Sequence, residues 1–272
     1  MTVRVVPLRA GSCLNLAAIT ERGAPWRVQA YPAGFTLILH PTRGPVLFDT
    51  GYGADVVTAM RRWPGLIYGL ITPVQFGPHD SAREQLRVLG FPPEEVRHVI
   101  VSHLHADHVG GLRDFPHATF HLDRRAWEPL RALRGVRAVR RAYLPELLPD
   151  DFEDRCAWLD FTEAGDALHP FPEVADVFGD GLLRAVPLPG HAPGMVGLLA
   201  QEEAGLTVLA ADAAWSVRAG REERPVHPLA RVAFHDPALE ATSGAALRAF
   251  LHANPAARLH VSHDAPEGWT AP

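Results

Sequence analysis

No lysine occurs anywhere in the 272 residues; all 26 basic side chains are arginines. A Schiff-base or catalytic lysine is thereby excluded. Cysteine is almost as scarce, with Cys13 and Cys156 far apart in the chain. Two isolated thiols build no disulfide framework and fit a reducing compartment. The formal net charge is −5 and no basic block is present, so the footprint of a nucleic-acid binder is missing. Long apolar runs are missing too. The stretch around "GLIYGLI" falls far short of the roughly 20 residues that a membrane-crossing helix needs. "AGSC" before Leu14 faintly resembles a lipoprotein cleavage site, but Arg4 and Arg9 interrupt the segment before it, so no signal sequence is read there. These absences predict a soluble, cytoplasmic protein with no nucleic-acid or membrane partner.

What the chain does have is apolar content. A hydrophobic fraction of 47% can fill a sizeable core, and residues 1–272 are read as a single domain. No internal repeat or low-complexity tract breaks the chain. "MTVRVVPLRAG" alternates in the manner of a strand. "FTLILH" and "PVLFDTG" are two more strands, divided by the turn "PTRG". "DSAREQLRVLG" predicts a helix capped by Asp80 and ended by Gly90. "VRHVIVSH" predicts a buried strand ending at His103, and "ATFHLD" another. Residues 124–141 read as an arginine-rich helix, with a break near Gly135. In the second half, "LLRAVPLPGHAPG", "VGLLAQ", "GLTVLAADAAW" and "RLHVSHD" read as strands, the last ending at His263. "DPALEATSGAALRAFLHAN" reads as a helix. The alternation suggests α/β layers, with helices around two packed mixed sheets.

One segment demands a chemical reason. "VIVSHLHADHVGGL" holds His103, His105, Asp107 and His108 within six positions, directly after an apolar run. Burying even a neutral polar group without a partner costs on the order of 2–7 kcal/mol. Such a cluster is therefore either a solvated loop or a site that gathers around something positive. Further strand-end loops carry His191, Asp212 and His263. Imidazole and carboxylate are ligands that zinc and its borderline neighbours prefer. The seven groups suffice for two divalent ions. Three histidines would serve one ion, two histidines and an aspartate the other, and one carboxylate would be shared.

In the order "HLHADH", "GHAPG", "AAD" and "SHD", with "FDTG" upstream, the chain resembles the metallo-β-lactamase-fold hydrolases over nearly its whole length. The resemblance implies an αββα sandwich with its site along one sheet edge. It implies that His103, His105 and His191 hold one metal ion, and that Asp107, His108 and His263 hold a second. Asp212 would bridge them. Zinc is the first expectation, with Mn, Fe and Co as alternatives. The subgroup it looks most like is the quorum-quenching N-acyl homoserine lactonases, through "SHLHADHVGGL", the helical segment before "YLPE", and "FHDPALEATSGAALRAF". One position departs. That subgroup has a tyrosine three residues after the bridging aspartate, and here the residue is Trp215. The hydrolase chemistry is still implied; the lactone is left open.

The resulting expectation is a dinuclear metal-dependent hydrolase that opens an ester or lactone of a small molecule. The nucleophile would be a hydroxide bridging the ions, with Asp107 and Asp212 as the catalytic carboxylates. A phosphodiester or phosphotriester hydrolase is the alternative, since two metals suit in-line displacement equally. A non-catalytic metal-binding scaffold is the alternative from another class. Neither cysteine falls in a ligand segment, which disfavours a β-lactamase of the cysteine-ligand type. The ten histidines outside the motifs are assigned to surface or core. Asp49 in "FDTG" is read as orienting a ligand histidine. Gly110 and Gly111 are read as letting the backbone pass close under the site, and Gly194 as a turn. Residues 61–76 are read as an apolar loop that either packs on the core or forms a lid or homodimer patch. Trp63, Tyr68 and Phe76 in that segment, with Trp215, are the substrate-contact candidates. The arginines of 124–141 read as a solvated face, or else as an attraction for an anionic substrate.

Overall fold

The computed structural model describes residues 1–264, and its strands form two mixed sheets. They are β1 (Arg4–Leu16), β2 (Val28–His40), β3 (Gly44–Phe48), β4 (Val74–Gln75), β5 (His98–Ile100), β6 (Thr119–Leu122) and β7 (Cys156–Trp158). The second set is β8 (Thr162–Glu163), β9 (Glu173–Asp176), β10 (Leu183–Pro187), β11 (Val196–Glu202), β12 (Gly205–Leu209) and β13 (Arg258–His260). Among the described residues, one sheet has the order β4-β1-β2-β3-β5-β6-β7 and the other β13-β12-β11-β10-β9-β8. No described helix is long and apolar enough to cross a membrane.

The apolar runs of the central strands have a direct cause. A strand sends successive side chains to opposite faces, and β2, β3 and β5 are covered on both. Leu37, Leu47 and Val99 enter one core, shared with helices Ala54–Ala59, Gly65–Ile71 and Ala82–Val88. Their neighbours Ile38, Val46, Phe48 and Ile100 enter the other. There they meet the second sheet, which is backed by Leu247, Phe250 and Leu251 of helix Pro237–Ala253. The layers are therefore helices, sheet, sheet, helix: an αββα sandwich.

Several boundaries differ from the sequence-based expectation. Ser81, not Asp80, caps helix Ala82–Val88 by accepting from the Glu84 N–H at 3.2 Å. The Asp80 carboxylate closes the preceding turn instead, accepting from Gly77 N–H at 2.7 Å. Residues 61–76 are not a loop. They contain helix Gly65–Ile71 and strand β4, which pairs Val74 with Cys13. The arginine-rich stretch is two short helices, Arg124–Trp127 and Gly135–Val139, and the second starts at a glycine with φ +63°. Strands β5 and β13 stop at Ile100 and His260, so the polar motif residues lie beyond them, on loops and, for Asp107 and His108, on the short helix Ala106–Val109. Strands β7 to β9 carry no clear sequence signal, because their segment is short-stranded and rich in acidic residues and proline.

Three histidines that the sequence places among the ordinary ones gather at a separate spot. His98 Nδ1 lies 3.0 Å from His121 Nε2, and the ring of Phe178 packs against His40, His98 and His121. Arg43 stands over the same Phe178 ring, and Asp180 is 3.2 Å from His40 Nε2. Burial, then His98 and Arg43, push the His121 imidazole down to about 4; burial and Arg43 also lower His98. A folded pKa below the unfolded value of about 6.5 means that the unfolded chain takes up protons first. Stability should therefore fall as pH drops from about 6.5 to about 4, and be insensitive to His121 above that window. Denaturant midpoints of wild type and His121→Gln at pH 4.5 and 7.5 check this. The variant should lose less stability on acidification, and an equal loss would show that His121 is not responsible.

Candidate metal centre

Strand register decides which loops meet. The parallel pair β3–β5 sets Phe48 opposite Ile100, so the chain leaves both strands side by side, at Asp49 and at Ser102. The parallel pair β12–β13 sets Leu209 opposite His260. Asp212 and His263 each follow three residues later, and His263 Nε2 ends 3.0 Å from Asp212 Oδ2. His191 arrives on the loop after β10 and brings Nε2 to 3.1 Å from His105 Nδ1 and 3.2 Å from Asp212 Oδ2. Backbone conformation contributes at two of these corners. Asp49 has φ 60° and Ala211, just before Asp212, has φ 46°. Left-handed backbone is uncommon away from glycine and concentrates at functional sites.

A hydrogen-bonded frame aims the imidazoles. The Asp49 carboxylate accepts from Ser102 N–H at 2.7 Å and from Ser102 Oγ–H at 2.7 Å. Having given its proton to Asp49, Ser102 Oγ accepts from His103 Nδ1–H at 2.9 Å. Asp49 Oδ2 also accepts from His108 Nδ1–H at 2.8 Å. His263 Nδ1–H donates to Pro32 O at 2.8 Å. These bonds occupy the Nδ1 atoms and leave Nε2 of each ring to the site: His108 Nε2 and His263 Nε2 face Asp212 at 3.3 and 3.0 Å. Thr50 fixes the loop itself, its N–H and Oγ1–H both donating to His108 O at 2.9 Å. Gly110 and Gly53 allow this close approach. A Cβ on Gly53 would lie 2.1 Å from Gly110 O, and one on Gly110 would lie 2.8 Å from Gly53 N. What the glycines supply here is room; Gly110 has ordinary helical φ.

The seven motif side chains fall into two groups. His103, His105 and His191 form one; Asp107, His108, Asp212 and His263 form the other, with donor atoms within 4.8 Å of one another in each. Asp212 lies between them, Oδ2 toward His191 and Oδ1 at 3.3 Å from His108 Nε2. The electrostatics of the groups are opposite. Burial, reinforced by the neighbouring imidazoles, holds His103 and His105 well below the usual histidine range. Burial also opposes charge on His108 and His263, but nearby carboxylates outweigh it. They raise His108 well above its ordinary value, and His263 to about 9. Burial would raise Asp212, yet His263 and His108 hold it well below the carboxylate range.

Could these residues hold metal ions? His103 Nε2, His108 Nε2 and Asp212 Oδ1 are buried and lack a hydrogen-bond partner. A buried polar atom left unpaired costs about 1–3 kcal/mol. Without metal, a proton on His108 or His263 balances the carboxylates while His103 Nε2 has no partner; divalent cations would satisfy the nitrogen and oxygen donors alike. The donor set, neutral nitrogen and carboxylate oxygen, is the one that zinc and similar ions take. The residues present fit two such ions.

The cluster forms part of the wall of a cavity of about 1000 Å³. Tyr68, Ile71, Leu130, Leu133, Val139 and Trp215 line its apolar part. Trp215 stands edge-on to His191, with ring centres 6.0 Å apart, and to Phe234 at 5.7 Å. Tyr68 is buried and shares a 3.1 Å hydrogen bond with Tyr52. The two remaining substrate-contact candidates lie outside the lining of this cavity. Trp63 is 71% exposed and outside the cavity lining, because helix Gly65–Ile71 buries Tyr68 and leaves Trp63 ahead of it in solvent. Phe76 packs on the core beside Gly11. Ser102 and Thr50 are functional residues that the sequence motifs do not single out. The signal for Ser102 is present, a hydroxyl directly before the first motif histidine.

The family model of the metallo-beta-lactamase superfamily matches residues 33–267. The N-acyl homoserine lactonase AttM of Azorhizobium caulinodans is 29% identical over 226 residues, 79% of this chain and 78% of that protein. AttM of Agrobacterium fabrum is 30% identical over 203 residues, 71% of this chain and 68% of that protein. A solved N-acyl homoserine lactone hydrolase with its product N-hexanoyl-L-homoserine at the catalytic metal centre superposes with a TM-score of 0.75. That match is 21% identical and covers 97% of this chain and 94% of the other. Fold, site and matches together define a metal-dependent hydrolase with divalent metal as its cofactor. The chain belongs to the metallo-β-lactamase superfamily.

Proposed function

We propose that this protein opens a lactone or a related carboxylic ester of a small molecule, using two divalent metal ions, zinc first among them. The whole of residues 1–272 is read as one hydrolase domain, supported by the family match over 33–267. The observation that carries the proposal is the convergence of seven side chains into two donor groups bridged by Asp212 in the wall of one cavity. His103, His105 and His191 would hold one ion, and Asp107, His108 and His263 the other. When bound, the ions supply an acidified water and two positive charges for an ester carbonyl and its leaving alkoxide. The lactonase relatives support the ester-like substrate.

The chain's own residues do the rest. Ser102 and Asp49 fix the His103 and His108 tautomers, so that neither ring can turn away when substrate enters. Pro32 O does the same for His263. Asp107 Oδ2, 3.5 Å from His263 Nε2, and Asp212 are the carboxylates placed to take a proton from water and return it to the leaving oxygen. Trp215 and Tyr68 bound the space in which the acyl part lies.

The deciding experiment is a hydrolysis screen of protein loaded with Zn, Mn or Co against lactones, aryl esters, thioesters and phosphoesters. Lactone or ester turnover is expected. Turnover confined to phosphoesters would replace the proposal with the phosphoester alternative, and metal bound without any turnover would leave a scaffold. The positioning role of Asp49 has its own test. Asparagine tolerates the left-handed backbone at that position but removes the charge that three donors share. Asp49→Asn should weaken metal retention about 10–100-fold, read by chelator competition, while thermal unfolding of the metal-free protein moves little. Unchanged retention would remove the role.

A further inference from the structure

The metal cluster occupies one part of the cavity wall; another part carries charge of one sign. Arg137, Arg140 and Arg141 all line the cavity, and among the described residues its only carboxylates are Asp107 and Asp212 of the cluster itself. Some arginines elsewhere are paired, Arg125 with Asp123 and Glu173, Arg155 with Asp151 and Arg224 with Glu21. Among the described residues, no carboxylate comes within ion-pair distance of Arg137, Arg140 or Arg141. What sets these three apart is their place: they line the same cavity as the metal cluster, where their guanidiniums can meet an anionic group of a bound ligand.

The segment is also tied to the reaction centre. Ala142 O accepts from Ala106 N–H at 3.0 Å, so the turn that carries Arg140 and Arg141 is fastened to the first residue of the short helix Ala106–Val109 that carries Asp107 and His108. Ala142 has φ 48°, a backbone state that an alanine adopts only under constraint. Across the cavity, Arg141 Nη1–H donates to His235 Nδ1 at 3.1 Å, and His235 N–H donates to His191 O at 3.1 Å. Arg141 is thus tied through His235 to the motif residue His191. The apolar side chains of Leu133, Val139, Val232 and Phe234 line the same cavity. Metal cluster, apolar stretch and guanidiniums together describe a ligand with a hydrolysable carbonyl, a short hydrocarbon spacer and an anionic end.

We propose that the preferred substrate is a lactone or ester whose acyl chain ends in a carboxylate, which Arg137, Arg140 and Arg141 bind at the cavity mouth. This rests on the ester-hydrolase reading of the same site. Guanidinium suits the task because its planar donors match a carboxylate in pairs.

The test uses the metal-loaded protein and matched substrates differing only at the chain end: hexanoyl against 5-carboxypentanoyl homoserine lactone, and the corresponding p-nitrophenyl esters. The readout is the ratio of kcat/KM for the carboxylate-ended substrate to that for the methyl-ended one, which is independent of the fraction of active protein. The ratio should exceed about tenfold at low salt, the scale of a few partly exposed ion pairs. It should fall severalfold at about 0.5 M NaCl, because exposed charges are screened. The triple replacement of Arg137, Arg140 and Arg141 by Gln should bring it near one, and each single replacement should lower it partway. A ratio near one in the wild type, or one unmoved by salt and by every replacement, overturns the proposal. If no ester is hydrolysed, the functional reading fails separately, and calorimetric binding of adipate against hexanoate then tests the arginines. Tighter, salt-sensitive, Arg-dependent adipate binding supports them, and equal binding overturns them.

Discussion

His103→Ala is expected to abolish turnover, with a loss of roughly three orders of magnitude or more, because acidification of water from a pKa near 16 to about 7 depends on metal held in place. The Nε2 atom of His103 is buried and has no hydrogen-bond partner, and the ring gives the metal-free fold one hydrogen bond, Nδ1–H to Ser102 Oγ. Circular dichroism should therefore look native and the thermal midpoint should move by only a few degrees. Asp212→Ala is the companion. Its carboxylate touches His191 in one donor group and His108 and His263 in the other, and its removal should lower metal content from two ions per chain to at most one. Both values come from elemental analysis after saturation and desalting. A His103→Ala enzyme that still turns over would remove the mechanism. At most one ion in the wild type, unchanged in Asp212→Ala, would remove the dinuclear site.

Trp215→Tyr is expected to raise kcat/KM for methyl-ended acyl homoserine lactones about tenfold to a hundredfold. In the lactonase subgroup this chain resembles, a phenol stands at the corresponding position. An indole N–H can donate but cannot accept, and it projects from a larger ring. The Trp215 ring packs edge-on against His191 and Phe234, and its larger ring carries the donor at a different place from the one a phenol would reach. Loss of an oxyanion donor typically costs about 10²–10³ in kcat, and a displaced donor costs part of that. Efficient hydrolysis by the wild type, with a slower Trp215→Tyr enzyme, would show that Trp215 does not set specificity. It would also draw this chain closer to the lactonases.

Several parts of this protein are legible in its amino-acid sequence alone. The motif residues sit at fixed short spacings, and spacing along a loop is a local property. The need for a cation follows from chemistry, since four ionisable groups cannot be packed behind an apolar strand without one. The central strands are legible because burial on both faces makes their apolar runs continuous. The role of Asp49 is legible as a carboxylate at a strand end; its three donors are not.

The rest depends on contacts between residues far apart in the chain. Nothing local says that Phe48 lies opposite Ile100, or Leu209 opposite His260. Yet those two registers bring Asp49 to Ser102 and Asp212 to His263. The segment 61–76 reads as a loop because two prolines and two glycines weaken its helical signal. Packing of Tyr68 and Ile67 against the first core outweighs that propensity and takes Trp63 away from the cavity. The three unpaired arginines can be counted in the sequence, but whether they face solvent or substrate cannot be read there. Composition and spacing determined the chemistry that this chain can support. Only the tertiary structure decided which charges face that chemistry, because facing is set by strand register and packing across the whole chain.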